Sequence, residues 1–258
     1  MTHSELHIES FGQGTDLVLL HGWGMNSAVF RPIASHFHGF RVHLVDLPGF
    51  GHSQPLEGEL QSWVDHLSEQ LPDNAIWLGW SLGGLIATQV ALTYPKKMSA
   101  LITIASSPYF IANEQQNWPG IMPKVLAAFA SQLKLDVKTT IERFLAIQAL
   151  GSPHAKQDIS LLKRNVLSKP LPSRQALVQG LEFLEQIDLR NQLKKIELPW
   201  LRIWGRLDGL VPKTLPPLMP VHHNEVTDIM LPKASHAPFI SHPDEFLAAL
   251  LPWLKARK

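Results

Sequence analysis

A chain of 258 residues, 45% of them hydrophobic, is long enough to bury a sizeable core and suits one α/β domain with room for an insertion. A net charge of +1 calls for neither a nucleic acid nor a membrane surface as partner. The absence of cysteine excludes disulfides, thiolate chemistry and cysteine-ligated zinc.

Met1-Thr2-His3-Ser4-Glu5-Leu6 lacks the basic and apolar regions of a signal peptide, and no apolar run approaches the ~20 residues that span a bilayer, so the expectation is a soluble cytoplasmic protein. Residues 6–9 and Asp16-Leu17-Val18-Leu19-Leu20 read as strands joined through Gly12-Gln13-Gly14, with the loop His21-Gly22-Trp23-Gly24-Met25-Asn26 after them. Arg41-Val42-His43-Leu44-Val45 is a further strand. It ends in Asp46-Leu47-Pro48-Gly49-Phe50-Gly51-His52-Ser53, a segment rich in turn formers. Residues 60–70 carry the spacing of an amphipathic helix. The apolar run Ala75-Ile76-Trp77-Leu78 is a buried strand, and residues 85–92 are a helix ended by Tyr94-Pro95. Strands follow at 100–105, 199–204 and 226–231. The helix at 243–256 carries Pro243, Asp244 and Glu245 in its first turn and Lys255 and Arg257 at its end, as the helix dipole favours.

Strands alternating with helices imply a mostly parallel sheet covered on both faces. The alternation stops between 105 and 199. From about 110 to 186 only helical patterns and turns occur, with helix-like runs at 125–130, 141–147 and 161–167. The expected organisation is a core of residues 1–109 and 187–258 with a helical cap, residues 110–186, inserted over the sheet edge where ligands bind.

The turn between the strand at 75 and the helix at 85 reads Gly79-Trp80-Ser81-Leu82-Gly83. Strand, sharp turn and helix around Gly-x-Ser-x-Gly make a nucleophile elbow, which lifts the serine hydroxyl out of the sheet and sets it at a helix N-terminus. Such a serine needs a base, and the base an orienting carboxylate, in the chain order serine, acid, histidine. Asp208 lies in the turn after the strand at 199–204, and His236 in the loop after the strand at 226–231. Asp188 and Asp228 compete for the acid but follow no strand directly. His222 and His223 read as a solvated pair, His242 as a neighbour of the last helix, and His21 as a maker of structural hydrogen bonds. The backbone N–H of Leu82, after the nucleophile, is one candidate oxyanion donor, and that of Trp23 in the early loop is the other. The alternative for Trp23 is a core aromatic. Ester hydrolysis through an acyl-serine requires no metal or organic cofactor.

Charge is unevenly divided. Residues 120–175 hold nine Lys or Arg against three Asp or Glu, while the rest of the chain holds 14 against 19. This marks a basic face on the cap, with Lys138, Arg143, Lys156, Lys163 and Arg164 as candidate docking residues for an acidic partner; the alternative is ordinary solvated surface. Lys156, Lys163 and Arg164 fall at i, i+7 and i+8, one side of a helix.

With these motifs the chain resembles the α/β-hydrolase superfamily over nearly its full length. More narrowly it is similar to the pimeloyl-[acyl-carrier protein] methyl ester esterases of biotin synthesis. The matching stretches include Leu20-His21-Gly22-Trp23-Gly24, Val45-Asp46-Leu47-Pro48-Gly49-Phe50-Gly51, Gly79-Trp80-Ser81-Leu82-Gly83-Gly84, Ala105-Ser106-Ser107-Pro108, Trp118-Pro119-Gly120-Ile121 and Arg143-Phe144-Leu145-Ala146 with Gln148. Leu207-Asp208-Gly209-Leu210-Val211-Pro212 and Ser235-His236-Ala237-Pro238 complete them. The resemblance implies a Ser81/Asp208/His236 triad and an acyl pocket lined by Trp23, Leu82 and Phe144, Leu145, Ala146, Ile147 and Gln148. It implies an ester borne by an acyl carrier protein as substrate, with small esters as surrogates; a monomer is expected. Another small-ester or C–C hydrolase, or a lyase of the same fold of the menaquinone-pathway type, and a non-catalytic binding homologue stand as alternatives.

Overall fold

The computed structural model describes residues 4–149, 154–219 and 225–258. Seven strands form one sheet in the order β1-β3-β2-β4-β5-β6-β7. They are β1 (Ile8–Gly12), β2 (Thr15–Leu20), β3 (Phe40–Val45), β4 (Ala75–Trp80), β5 (Met98–Ile104), β6 (Trp200–Gly205) and β7 (Val226–Leu231). Among the described residues of this sheet only the β1–β3 pairing is antiparallel. Every residue of β4 and β6 is buried, so both faces of the central sheet are covered, as a parallel sheet requires. The first strand lies two residues later than its expected 6–9. It is an edge strand with residues 10–12 exposed, so no inward/outward alternation marks its end, whereas Leu6 is buried ahead of it.

The helices are α1 (Arg31–Ala34), α2 (Leu60–Gln70), α3 (Leu82–Thr93), α4 (Pro123–Leu135), α5 (Val137–Gln148), α6 (Ala155–Leu167), α7 (Arg174–Gln186), α8 (Pro238–Ser241) and α9 (Pro243–Lys255). In α2 the buried Leu60, Trp63, Val64 and Leu67 follow the i, i+3, i+4, i+7 spacing of one helical face. The elbow helix α3 is buried almost all round because β2, β4, β5, α2 and α7 pack against it. It starts three residues earlier than expected, since Gly83 and Gly84 lie within its first turn. None of the described helices is long and apolar enough to cross a membrane.

Between β5 and β6 the described chain forms helices α4–α7 and two isolated bridges, Ile111–Ile121 and Asn113–Trp118. The ends of this insertion meet where the Leu189 N–H donates to Pro108 O at 2.9 Å, and Arg190 lies over the rings of Tyr109 and Trp118. α7, absent from the expected runs, starts at a Ser173 side chain that accepts from the Ala176 N–H. Its Gly180 lets the helix lie against the core: a Cβ there would meet Trp23 Cδ1 at 2.7 Å. Further ties come from Asn26 Nδ2 to Val166 O and from Lys169, whose Nζ reaches Glu9 Oε1 at 2.6 Å, Ser27 Oγ at 2.8 Å and Asp46 Oδ2 at 3.0 Å. Lys169 was one of the nine cations assigned to a basic face. Its side chain is 2% exposed and belongs to the joint between insertion and core.

Candidate active site

β4 delivers Ser81 at the turn into α3 with φ 54° and ψ −117°, a conformation that costs a non-glycine residue on the order of 1–3 kcal/mol. Its neighbours over-determine it. The Ser81 N–H donates to Ile104 O at 3.0 Å. A Cβ on Gly79 would run into the Gly83 carbonyl, and one on Gly83 into Leu20 and His21 carbonyls. Glycine at these two positions lets strand, turn and helix close on one another.

Because β4, β6 and β7 run parallel, their C-terminal ends open on one edge of the sheet. Asp208 lies three residues past β6 and His236 five past β7. The Arg206 N–H donates to Leu231 O and the Leu207 N–H to Ala234 O, tying the two loops together. Ser81 Oγ lies 3.0 Å from His236 Nε2, and His236 Nδ1 lies 2.8 Å from Asp208 Oδ2. A carboxylate only accepts, so Nδ1 carries the proton and Nε2 is left to accept from the serine. Asp208 Oδ1 accepts the N–H groups of Leu210 at 2.8 Å and Val211 at 3.0 Å, which orients the carboxylate. Ser81, Asp208 and His236 are 3%, 6% and 1% exposed. Burial strengthens their mutual hydrogen bonds. Trp80 contributes what its position beside the nucleophile did not reveal: its indole N–H donates to His236 O at 2.8 Å and holds the histidine loop.

The loop after β2 adjoins the nucleophile, since a Cβ on Gly22 would lie 3.2 Å from that of Ser81. Leu82 opens α3, so its N–H has no partner within the helix. Among the described residues no acceptor takes the Trp23 or Leu82 N–H. The Trp23 indole is fully buried. It donates to Leu177 O at 2.8 Å and packs edge-on to Phe144 with centroids 4.7 Å apart, at the seam of core and insertion.

The competing acids are occupied elsewhere. Asp228 pairs with Arg202 and accepts from the Trp204 indole. Asp188 pairs with Arg190, whose hydrogen bonds outweigh burial and hold its carboxyl below the usual range. His242 precedes α9 as expected, and His222 and His223 lie outside the described residues. Among the described residues no cluster of three or more His, Cys, Asp or Glu is arranged to hold a metal ion.

The insertion divides the remaining expected residues. On α5, Phe144, Leu145 and Gln148 are buried, but Ala146 is exposed and Ile147 half-buried. Ala146 and Ile147 instead line a cavity of about 450 Å³ between α4 and α5, with Lys124, Val125, Ala128, Phe129, Gln132 and Arg143. Five consecutive residues cannot share one helix face, because each step turns about 100°. Ala146 and Ile147 thus lie on a different face of α5 from Phe144, Leu145 and Gln148. Lys138, Lys156 and Arg164 are exposed; Arg143 donates to Gln132 Oε1 at 3.0 Å, and Lys163 pairs with Glu142 at 2.7 Å.

Residues 16–243 match the alpha/beta hydrolase fold family. The chain belongs to the α/β-hydrolases. Within this family it is 62% identical over 251 residues to the pimeloyl-[acyl-carrier protein] methyl ester esterase of Shewanella woodyi, covering 97% of this chain and 98% of that protein. It is 53% identical over 245 residues to the protein of the same name from Aeromonas hydrophila, covering 93% and 95%. Among solved structures, an esterase from Exiguobacterium antarcticum superposes with a TM-score of 0.86 at 23% identity, covering 98% of this chain and 96% of that one. A bromoperoxidase from Bacillus anthracis matches with the same score and coverage, so this likeness speaks for the fold alone.

Proposed function

We infer that the chain is a serine carboxylesterase that hydrolyses the methyl ester of pimeloyl-[acyl-carrier protein] methyl ester to pimeloyl-[acyl-carrier protein] and methanol, a step of biotin synthesis. The observation that carries this reading is an unbroken Ser81–His236–Asp208 hydrogen-bond chain in a protein 62% identical to an esterase of that name. Ser81 Oγ attacks the ester carbonyl while His236 Nε2 takes its proton. Asp208 holds the imidazole tautomer and stabilises the imidazolium. The Trp23 and Leu82 N–H groups stabilise the oxyanion. As the tetrahedral intermediate collapses, His236 gives the proton to the departing methoxide. It then takes a proton from the water that attacks the acyl-serine, and returns it to Ser81 Oγ as the carboxylic acid leaves.

Residues 110–186 act as a cap over this site. Trp23, Leu82, Phe144, Leu145 and Gln148 line the acyl side, and the cations of α5 and α6 face outward, where an acidic carrier would dock. A lyase that stabilises an enolate would need cations inside the pocket; the buried face of α5 has none, with Thr140, Ile141, Phe144, Leu145 and Gln148 along it. One chain suffices as the working unit, because it supplies all three triad groups and both oxyanion donors. The test is a hydrolysis panel of carrier-bound pimeloyl methyl ester against short and long p-nitrophenyl esters. The reading expects kcat/KM to be highest for the carrier-bound ester; a preference for free esters at every chain length overturns the substrate assignment.

A further inference from the structure

The peptide Gly22–Trp23 carries one proposed oxyanion donor, and the peptide Ser81–Leu82 carries the other. In each, the carbonyl at the far side of the same amide accepts a hydrogen bond from a buried side chain outside the triad. His21 Nδ1 lies 2.8 Å from Gly22 O, and Ser106 Oγ donates to Ser81 O at 2.8 Å. We propose that His21 and Ser106 are positioning residues that orient and polarise the two oxyanion-hole peptides from their carbonyl ends. This rests on the assignment of the Trp23 and Leu82 N–H groups made above.

The roles of the His21 nitrogens follow from their partners. A carbonyl only accepts, so Nδ1 carries the proton; Nε2 accepts the Leu47 N–H at 3.0 Å, so it carries none. The ring is therefore neutral and held at both ends. Burial pushes its pKa down to about 4, against the opposing field of Asp46, and it keeps this form at working pH. Ser106 is placed with similar care. Ala105, at φ 44°, turns the chain at the end of β5, and a Cβ on Gly84 would meet Ser106 Oγ at 2.5 Å. The Gly83-Gly84 pair thus admits the serine under the elbow as well as relieving the turn.

The physical effect follows from amide resonance. A donor on the carbonyl oxygen draws electron density through the C–N bond, makes the amide nitrogen more positive and strengthens its N–H as a donor. It also removes rotational slack from the peptide plane, so the N–H points where the oxyanion forms rather than where the ester carbonyl rests. Such a contribution acts on the transition state and leaves ground-state binding alone.

The experiment uses Ser106→Ala, His21→Gln and His21→Asn in the full chain. It measures kcat and KM on p-nitrophenyl acetate, the Ki of a boronic acid that forms a tetrahedral adduct with a serine, and the thermal midpoint. Ser106→Ala and His21→Gln are each expected to lower kcat by about 3–10-fold and weaken the boronic acid by a similar factor with KM unchanged; losing a direct oxyanion donor costs about 10²–10³. His21→Asn is expected to recover most of the loss, because its amide N–H occupies the place of Nδ1. Wild-type kcat and Ki in both Ser106→Ala and His21→Gln overturn the proposal. So does a loss in His21→Asn as large as in His21→Gln, which would make the histidine purely structural. Ser81→Ala separates the levels: if it stays active the site reading itself falls, whereas an inactive Ser81→Ala beside unimpaired positioning variants removes only this inference.

Discussion

Asp208 and Asp46 are the same local device put to different ends. Each lies just beyond the C-terminal end of a parallel strand, β6 or β3, and each is buried. Each carboxylate accepts two backbone N–H groups, from Leu210 and Val211 in one case and from Ser27 and His52 in the other. They differ in the third partner. Asp208 takes an imidazole whose far nitrogen reaches Ser81, while Asp46 takes the ammonium of Lys169 from the segment after α6. An imidazole can exchange a proton near neutral pH; an ammonium cannot. A buried, hydrogen-bonded carboxylate is therefore no mark of catalysis until the group it holds is known.

The sharpest way to break the comparison is to damage both carboxylate systems and read kcat and stability separately. On the catalytic side, Ser81→Ala is expected to lower kcat by about 10⁴–10⁶ and Asp208→Asn by roughly 10⁴, since the amide favours the wrong imidazole tautomer. Thermal unfolding should shift little for Ser81→Ala, which removes one oxygen and leaves the elbow glycines in place. Wild-type kcat in Ser81→Ala would remove the esterase reading, and a larger kcat loss in Asp188→Asn or Asp228→Asn than in Asp208→Asn would move the acid elsewhere. On the other side, Lys169→Met leaves Asp46 and Glu9 without their shared cation. It is expected to destabilise the fold by about 3–5 kcal/mol, read by denaturant unfolding, with kcat on small esters nearly unchanged well below the melting transition. A kcat loss without a stability loss would place Lys169 in the chemistry instead.

The asymmetry between the two systems also explains what was legible in the sequence. Ser81, Asp208 and His236 were readable because each sits at a fixed offset from a strand end, and strand ends are marked by apolar runs stopping at turn formers. The Lys169 contact was not. A lysine just past a helical run and before Pro170 looks like solvated charge, and only the tertiary path of the insertion brings it 2.6 Å from Glu9. The division of α5 was partly readable: its 3.6-residue period was available from Thr140, Ile141, Phe144, Leu145 and Gln148, but a contiguous pocket run cuts across that period. Ser106 stood in a matched stretch with no role attached, because its partner is a backbone carbonyl, which no side-chain pattern reports.

A titration sharpens the comparison at a smaller scale. His21 has a folded pKa of about 4 against about 6.5 unfolded, so between those values the unfolded chain binds the extra proton and stability rises with pH. On acidification from pH 6.5 to 4 the expected loss is about 3 kcal/mol from this group. His21→Asn should flatten that part of the curve, and an unflattened slope would assign it to other groups. Further acidification reaches Glu9. Burial opposes its ionisation, but hydrogen bonds from Lys169 and Arg31 hold its carboxyl at about 2 against 4.5. Its contribution is present above pH 4.5 and is lost as pH falls toward 2. Lys169→Met should weaken this lower branch most and, because the Lys169 charge also helps to lower the His21 pKa, shrink the His21 branch by less.

The smallest expected effect concerns the cations that remain at the surface once Lys169 is assigned to the joint. Lys163 is paired with Glu142 and Arg143 leans on Gln132, whereas Lys138, Lys156 and Arg164 face solvent. A free small ester completes its recognition inside the pocket and has no use for these charges. On the proposed reading a carrier-bound ester does, because an acidic carrier would dock at the cap for its acyl arm to reach Ser81. Exposed charges act mainly on encounter and are screened beyond about 8–10 Å at physiological salt. Lys138→Glu, Lys156→Glu and Arg164→Glu together should therefore lower kcat/KM for the carrier-bound ester by about tenfold at low salt and less at high salt. Hydrolysis of p-nitrophenyl acetate should hold. Arg143→Glu should affect both substrates, since Arg143 precedes the buried Phe144 of the proposed acyl side. Equal losses on both substrates from the triple variant would signal a damaged cap, and no loss on either would leave the carrier without a basic docking face.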